Sequence, residues 1–168
     1  MGPGTGLGEG FLCKSDYSPY YEVYPSEGGH SEFSVRSQED YELLEFARKF
    51  IETSDNVENL RAKGKVGRIS IERLCAGPAM PLIYDFFRTK NPELEKTLET
   101  SVNFNQLTST MIVEEGVKER GDQLSRKTID KFVEIFGVEV GNMALKTLPY
   151  GGIYLIGGVT TGLSHYIQ

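Results

Sequence analysis

The 168-residue sequence has no tryptophan, two cysteines and two histidines. Cys13 and Cys75 lie far apart and without CxxC spacing, which argues against a disulfide framework and predicts reduced, buried, unreactive thiols. No base stands at a recognisable spacing from these thiols or from Ser15, so a nucleophilic triad is not indicated. Beyond His30 the only histidine is His165, too few to support a metal site.

A basic surface is also missing. The chain carries 18 basic and 24 acidic side chains, a net charge of −6, and no run of five lysines or arginines. Nucleic acid and anionic membranes both need a positive footprint, so neither is expected as a partner. No apolar stretch reaches the roughly 18 to 20 residues of a spanning helix, and no basic segment precedes an apolar one at the N-terminus. These absences predict a cytoplasmic protein.

What the chain does contain is enough apolar material, 39% of its residues, for the core of one globular domain. Polar residues at 53–67 predict a surface loop, Ser70 is expected to cap a short helix, and tyrosines at 17–24 are typical of a strand. The apolar run at 151–159 predicts a short buried strand between glycine pairs. Helical spacing of apolar residues recurs from about 37, from 80 to 87, from about 106 to 118, and from about 123 to 147. Strand, helices and a closing strand together predict an α/β domain whose strands are covered by helices.

Glycine occupies every even position from 2 to 10. This spacing leaves backbone amides uncovered on one face, and amides exposed at a tight turn suit anionic phosphate oxygens. We therefore take Gly4, Thr5 and Gly6 as candidate phosphate ligands, with the Thr5 hydroxyl as a further donor. The run matches neither GxxxxGK[ST] nor GxGxxG. The alternative is a glycine-rich hairpin that only permits close packing.

Three polar side chains are candidates for binding a polyhydroxylated ligand. Glu27 and His30 flank two glycines in a predicted loop, and Glu72 lies just before a Gly-Pro pair. A carboxylate accepts up to about four hydrogen bonds and an imidazole offers one more donor or acceptor. The alternative is that all three are solvated surface groups.

A fourth candidate closes the chain. Gly157 and Gly158 follow the last apolar run, where a flat ligand ring could lie against backbone, because ligands in open α/β sheets bind at the carboxyl ends of strands. Close packing of a strand against a helix is the alternative.

In order, these motifs resemble the bacterial-type glucokinases across nearly the whole chain. The matching stretches are GPGTGLG at 2–8, PSEGGH at 25–30, ISIERLCAGP at 69–78, GNMAL at 141–145 and GGIYLIGG at 151–158. Several motifs in the right order are far more specific than any one alone.

The resemblance implies an actin-like ATPase (ribonuclease H-like) fold, present here as an incomplete mixed sheet covered by helices. It identifies residues 1–168 as the large domain of a glucokinase. It also implies ATP and Mg²⁺, transfer of the γ-phosphoryl group to the 6-hydroxyl of glucose, and a possible homodimer. Carried over by position, Gly4, Thr5 and Gly6 would contact phosphates. Glu27, His30 and Glu72 would hold sugar hydroxyls, and Gly157 and Gly158 would border the adenosine.

The sequence also departs from the family pattern. The family's small domain, with an Asn-Asp pair whose Asp is the general base, and its C-terminal helix are expected to have no counterpart within residues 1–168. No catalytic residue is therefore expected in this chain, and a fragment of this kind is expected to be a poor catalyst. Ala79 replaces a usual glycine. A non-catalytic sugar- or nucleotide-binding module, and a kinase for another hexose, remain alternatives.

Overall fold

The computed structural model describes residues 1–52, 67–94 and 107–167. It begins with an antiparallel sheet of strand order β1-β2-β3, with strands at Gly2–Pro3, Leu7–Lys14 and Tyr21–Ser26. The turn at 4–6 joins β1 to β2 and pairs Pro3 with Leu7. Phe11 lies opposite Tyr24, where the two rings stack at 5.4 Å between centroids, a favourable cross-strand contact.

The expected mixed sheet is wrong for the described residues, and only the start of the sheet, where Leu7 is buried, belongs to the core. Both strand pairings are antiparallel. The connections at 4–6 and 15–20 are both far shorter than a parallel crossover requires. Leu12 and Val23, paired in the middle of the β2–β3 ladder, are 54% and 72% exposed. The described helices therefore do not cover this part of the sheet.

Within the described residues the sheet is followed by five α-helices, with single 3₁₀ turns at Gly28–His30 before the first helix and at Ile71–Arg73 and Pro92–Leu94 on either side of the second. The helices are α1 (Gln38–Glu52), α2 (Ala79–Lys90), α3 (Ser109–Gly116), α4 (Gln123–Thr147) and α5 (Gly158–Gly162). The first four confirm the helices predicted from periodicity. Ala79 is buried at the first position of α2, so the side chain it adds to the family pattern is accommodated inside the helix.

The long helix α4 organises the core. Its predicted stripe is confirmed: Ile129, Phe132 and Phe136 are buried against the neighbouring helices α2 and α3. The carboxylate of Asp122 caps the helix by accepting from the Ser125 amide at 2.6 Å. The apolar face of this 25-residue helix thus supplies most of the contacts that hold the helices together.

Helix α1 begins with a variant of the capping box. Ser37 Oγ accepts from the Asp40 amide at 3.0 Å, but the Asp40 carboxylate accepts from the Arg36 amide at 3.1 Å rather than from the amide of Ser37. Asp40 is fully buried, and its other oxygen lies 3.2 Å from Lys131 Nζ of α4. The cap therefore also ties α1 to α4.

The predicted closing strand is wrong. Residues 153–157 form no strand, and the side chains of Tyr154 and Ile156 are exposed. Met1 pairs with this segment: its amino group donates to Tyr154 O at 2.8 Å, and its carbonyl accepts from Ile156 N at 3.0 Å. A neighbour as short as β1 offers too few backbone partners to extend the ladder.

The predictions for the two cysteines, for Ser70 and for the loop at 53–67 have different outcomes. Cys75 is buried as predicted, but Cys13 is exposed in the outer half of β2, a part of the sheet that the described helices do not cover. Ser70 makes no side-chain cap; its carbonyl instead accepts from the Arg73 amide in a single 3₁₀ turn. Most of the predicted loop at 53–67 lies outside the described residues. Within the described ranges, no helix is long and apolar enough to span a bilayer.

Candidate sugar and phosphate site

An imidazole lies between two carboxylates at the centre of the site. His30 Nδ1 is 3.1 Å from Glu27 Oε2, and His30 Nε2 is 3.5 Å from Glu72 Oε1. The Glu27 side chain is 89% exposed and that of Glu72 is 29% exposed. The three side chains predicted to bind one ligand are therefore neighbours. The Glu27 carboxylate is open to solvent, and the Glu72 carboxylate is partly enclosed.

The turn that carries Glu27 and His30 packs directly on β2. It closes through bonds from the His30 amide to Glu27 O at 2.9 Å and from the Ser31 amide to Gly28 O at 2.8 Å. A side chain at position 29 would place its Cβ 2.3 Å from the carbonyl oxygen of Leu7. Glycine is therefore required at 29 for the turn to reach the strand.

Glu72 is held by the start of the same strand. Its Oε2 accepts from the Leu7 amide at 2.9 Å. A Cβ at position 6 would lie 2.4 Å from that oxygen, so the glycine at 6 makes room for the carboxylate. One oxygen of Glu72 is thereby fixed by backbone, and the other faces His30.

The glycine turn at 4–6 lies next to Glu72. Gly77, just before α2, donates its amide to Gly4 O at 2.8 Å and anchors the turn. A Cβ added at Gly4 would meet no atom within 4 Å, and the exposed Thr5 lines a cavity of about 360 Å³ together with Glu72. The Gly4 amide was predicted to be free for a phosphate, and this is wrong: it donates to Gly6 O at 2.7 Å within the turn.

The two closing glycines lie beside β1. Gly157 has φ of +103°, and a Cβ there would lie 2.9 Å from Pro3 O. Gly158 has open space around it at the start of α5. Although the strand predicted to carry them is absent, both glycines are brought to the chain segment that enters the glycine turn. Their role at the nucleotide stays a prediction.

Three contributors to the site were not predicted. The Leu7 amide fixes Glu72, the Gly77 amide fixes Gly4, and Arg68 Nη1 donates to His30 O at 2.8 Å. Two of them act through backbone groups, which carry no side-chain signal in a sequence. The described residues contain no group of three His, Cys, Asp or Glu side chains placed to hold a metal ion.

The chain matches known proteins along its whole length. A family model described as glucokinase covers residues 1–168. The glucokinase of Nostoc punctiforme is 35% identical over 183 residues, and that of a second Nostoc is 34% identical over 178 residues. Each alignment takes in 100% of this chain and 48% of the relative, so the chain spans about half the length of the curated relatives it matches.

Solved structures share the fold at lower identity. A glucokinase from Balamuthia mandrillaris in complex with glucose superposes with a TM-score of 0.74 at 19% identity, over 99% of this chain and 41% of that one. A glucokinase from an Antarctic psychrotroph gives a TM-score of 0.71 at 22% identity, over 99% and 44%.

Proposed function

The chain belongs to the glucokinase family, and on that premise we propose that it forms the sugar- and phosphate-binding part of an ATP-dependent glucose kinase. The reaction transfers the γ-phosphoryl group of ATP to the 6-hydroxyl of glucose and yields glucose 6-phosphate. The observation that carries the proposal is the convergence of Glu27, His30 and Glu72 beside the turn at 4–6.

The acidic pair and the imidazole suit a sugar. Glu72 has one oxygen fixed by the Leu7 amide, so its other oxygen is presented in one direction and can accept from a hydroxyl without reorganising. Glu27 adds an exposed carboxylate, and His30 adds a nitrogen whose donor or acceptor character the ligand can use. The Balamuthia mandrillaris glucokinase, which shares this fold, was solved in complex with glucose, and this favours glucose as the ligand that we propose.

Phosphoryl transfer asks the protein mainly for positioning and charge stabilisation. We assign Thr5 and the turn at 4–6 to the phosphates, and Gly157 with Gly158 to the adenosine. Magnesium, when bound with ATP, would neutralise phosphate charge, but the described residues offer no metal cluster and we assign it no ligand in this chain. Among the described residues we likewise assign no general base.

Calorimetry of the 168-residue chain with glucose tests the proposal. Glu72→Gln removes a charged acceptor, and hydrogen bonds to charged groups contribute about 1.5 to 3 kcal/mol, so glucose should bind about 10- to 100-fold more weakly. Glu119→Gln, an exposed glutamate outside the site, is the matched control and should bind as wild type. Equal binding by wild type and Glu72→Gln, or no binding by either, would refute the sugar site.

The same chain with ATP and glucose tests turnover. Formation of glucose 6-phosphate above the level of Glu72→Gln supports a kinase that works in this form. Glucose binding without turnover instead supports a binding module or a kinase completed by further polypeptide. Competition by mannose or galactose at equal affinity would mean that the hexose is not glucose in particular.

A further inference from the structure

A glutamate lies directly beneath the turn that carries the sugar candidates. Glu9 stands on β2 opposite Ser26, and its Oε2 is 1.9 Å from the place where a Cβ of residue 28 would be. We call the space left by the missing side chain of Gly28 the notch. Ser26 Oγ accepts from the Gly28 amide at 3.0 Å, so Ser26 and Glu9 together form the floor of the turn.

The other carboxyl oxygen of Glu9 lacks the hydrogen-bond donors that usually surround a buried carboxylate. Glu9 Oε1 is buried and makes no hydrogen bond among the described residues. The charges that act on the Glu9 carboxyl group are those of Glu139, which is 3% exposed, and Lys146 on α4, and of the amino group of Met1; Glu9 in turn acts on Cys75. Burial, and then the charge of Glu139, raise the pKa of Glu9, while Lys146 and the amino group of Met1 oppose the shift.

We propose that Glu9 is a positioning residue for the sugar-binding turn: its carboxyl group fills the notch, and a full negative charge on that group disturbs the turn. The ionised group would place a second negative charge beside Glu139 with one oxygen unpartnered. It would therefore swing toward solvent and leave Gly28 without support. The role at the sugar rests on the proposed function, whereas the placement of Glu9 in the notch does not.

The pH dependence has a definite sign. In the folded chain Glu9 keeps its proton to higher pH than a free glutamate. Glucose affinity is therefore greatest while Glu9 is neutral and falls as the pH rises through the raised pKa of Glu9. Glu9→Gln keeps the shape of the neutral carboxyl group without the charge, so it should hold the high-affinity state across the range.

The first experiment compares glucose dissociation constants of wild type and Glu9→Gln between about pH 5 and pH 8. Both proteins keep Glu27, His30 and Glu72, so the ratio of the two constants removes the titration of these groups. We expect wild type to weaken about three- to tenfold relative to Glu9→Gln as the pH rises. A ratio that stays flat overturns the pH-dependent role, and Glu119→Gln should give the wild-type profile.

The second experiment needs no sugar. Gly28→Ala puts a Cβ where Glu9 Oε2 lies, so its effect on the unfolding equilibrium constant should be at least about fivefold smaller in a Glu9→Ala background. Gly10→Ala is the matched control: its Cβ would meet Tyr24 O at 3.2 Å, and its effect should be the same in both backgrounds. Independent effects of Glu9→Ala and Gly28→Ala would overturn the placement of Glu9 in the notch. Failure of wild type to bind glucose would refute the proposed function and leave this cycle to decide the placement.

Discussion

Lys131→Met is expected to lower the free energy of unfolding by about 3 kcal/mol. Lys131 is 5% exposed on α4, and its ammonium group lies 2.8 Å from Glu39, 3.2 Å from Asp40 and 2.6 Å from Glu134. Methionine has a similar length and no charge, so it fills the same space. The substitution therefore isolates the loss of the ammonium group from the loss of packing.

The magnitude follows from which partner is left behind. The side chains of Glu39 and Glu134 are 41% and 46% exposed, so water can replace the lysine, and each of those pairs contributes about 0 to 1 kcal/mol. Asp40 is fully buried and would keep only its bonds to Arg36. Removing one partner of a buried ion pair costs about 3 to 5 kcal/mol, and the remaining Arg36 contacts place the expected cost at the lower end.

The pH dependence gives a second measurement on the same variant. Burial alone would raise the pKa of Asp40, but hydrogen bonds from the Arg36 amide and from Lys131 lower it below its ordinary value of 3.8. The contribution of Asp40 to stability is therefore fully present above that pH and is lost as the pH falls through its folded-state pKa. In Lys131→Met this acid-dependent part should shrink, because the pKa of Asp40 moves back up.

Urea unfolding followed by circular dichroism measures both effects. Lys118→Met is the control: it removes an exposed ion pair with Glu115 and should change the free energy of unfolding by less than about 1 kcal/mol. If Lys131→Met and Lys118→Met destabilise the chain equally, Lys131 contributes no buried pairing and the reasoning is refuted.

Two further predictions test the glycine turn and the thiols. Gly6→Ala should weaken glucose binding about tenfold, because its Cβ would displace the Glu72 carboxylate, whereas Gly8→Ala, whose nearest neighbour is at 3.8 Å, should bind normally in the same calorimetric assay. With a thiol reagent, Cys13 should react in the native chain and Cys75 only after unfolding, because burial raises the pKa of Cys75; rapid native labelling of a Cys13→Ser variant would contradict this.

The helices could be predicted because their signal is local. Ile129, Phe132 and Phe136 recur at helical spacing, and any partner that covers that stripe produces the same helix. The apolar run at 151–159 fails for the opposite reason. A strand exists only where a neighbouring strand supplies backbone partners, and nothing in the residues of this run shows that Met1 is the neighbour it finds.

The candidate site was predictable to a different degree. Helical or strand spacing gives no reason to place Glu72 beside His30, 42 positions earlier in the chain; the order of motifs shared with the glucokinases does. The fixing of Glu72 was invisible even to that comparison, because the Leu7 amide does it. Backbone donors look alike in every sequence, and only their position in a fold makes them specific.

The two halves of the site are joined through one short stretch of backbone. Leu7, at the start of β2, holds Glu72, and Gly4, in the turn just before it, is anchored by Gly77. Glu72 and Gly77 flank the same short segment that leads into α2. Since both bonds connect the same two segments, the turn assigned to phosphate and the carboxylate assigned to sugar can separate only if a backbone hydrogen bond breaks. Under the proposed assignments, these two bonds would hold an acceptor hydroxyl and a phosphoryl group at a set separation, and such positioning is the main requirement that phosphoryl transfer places on a protein.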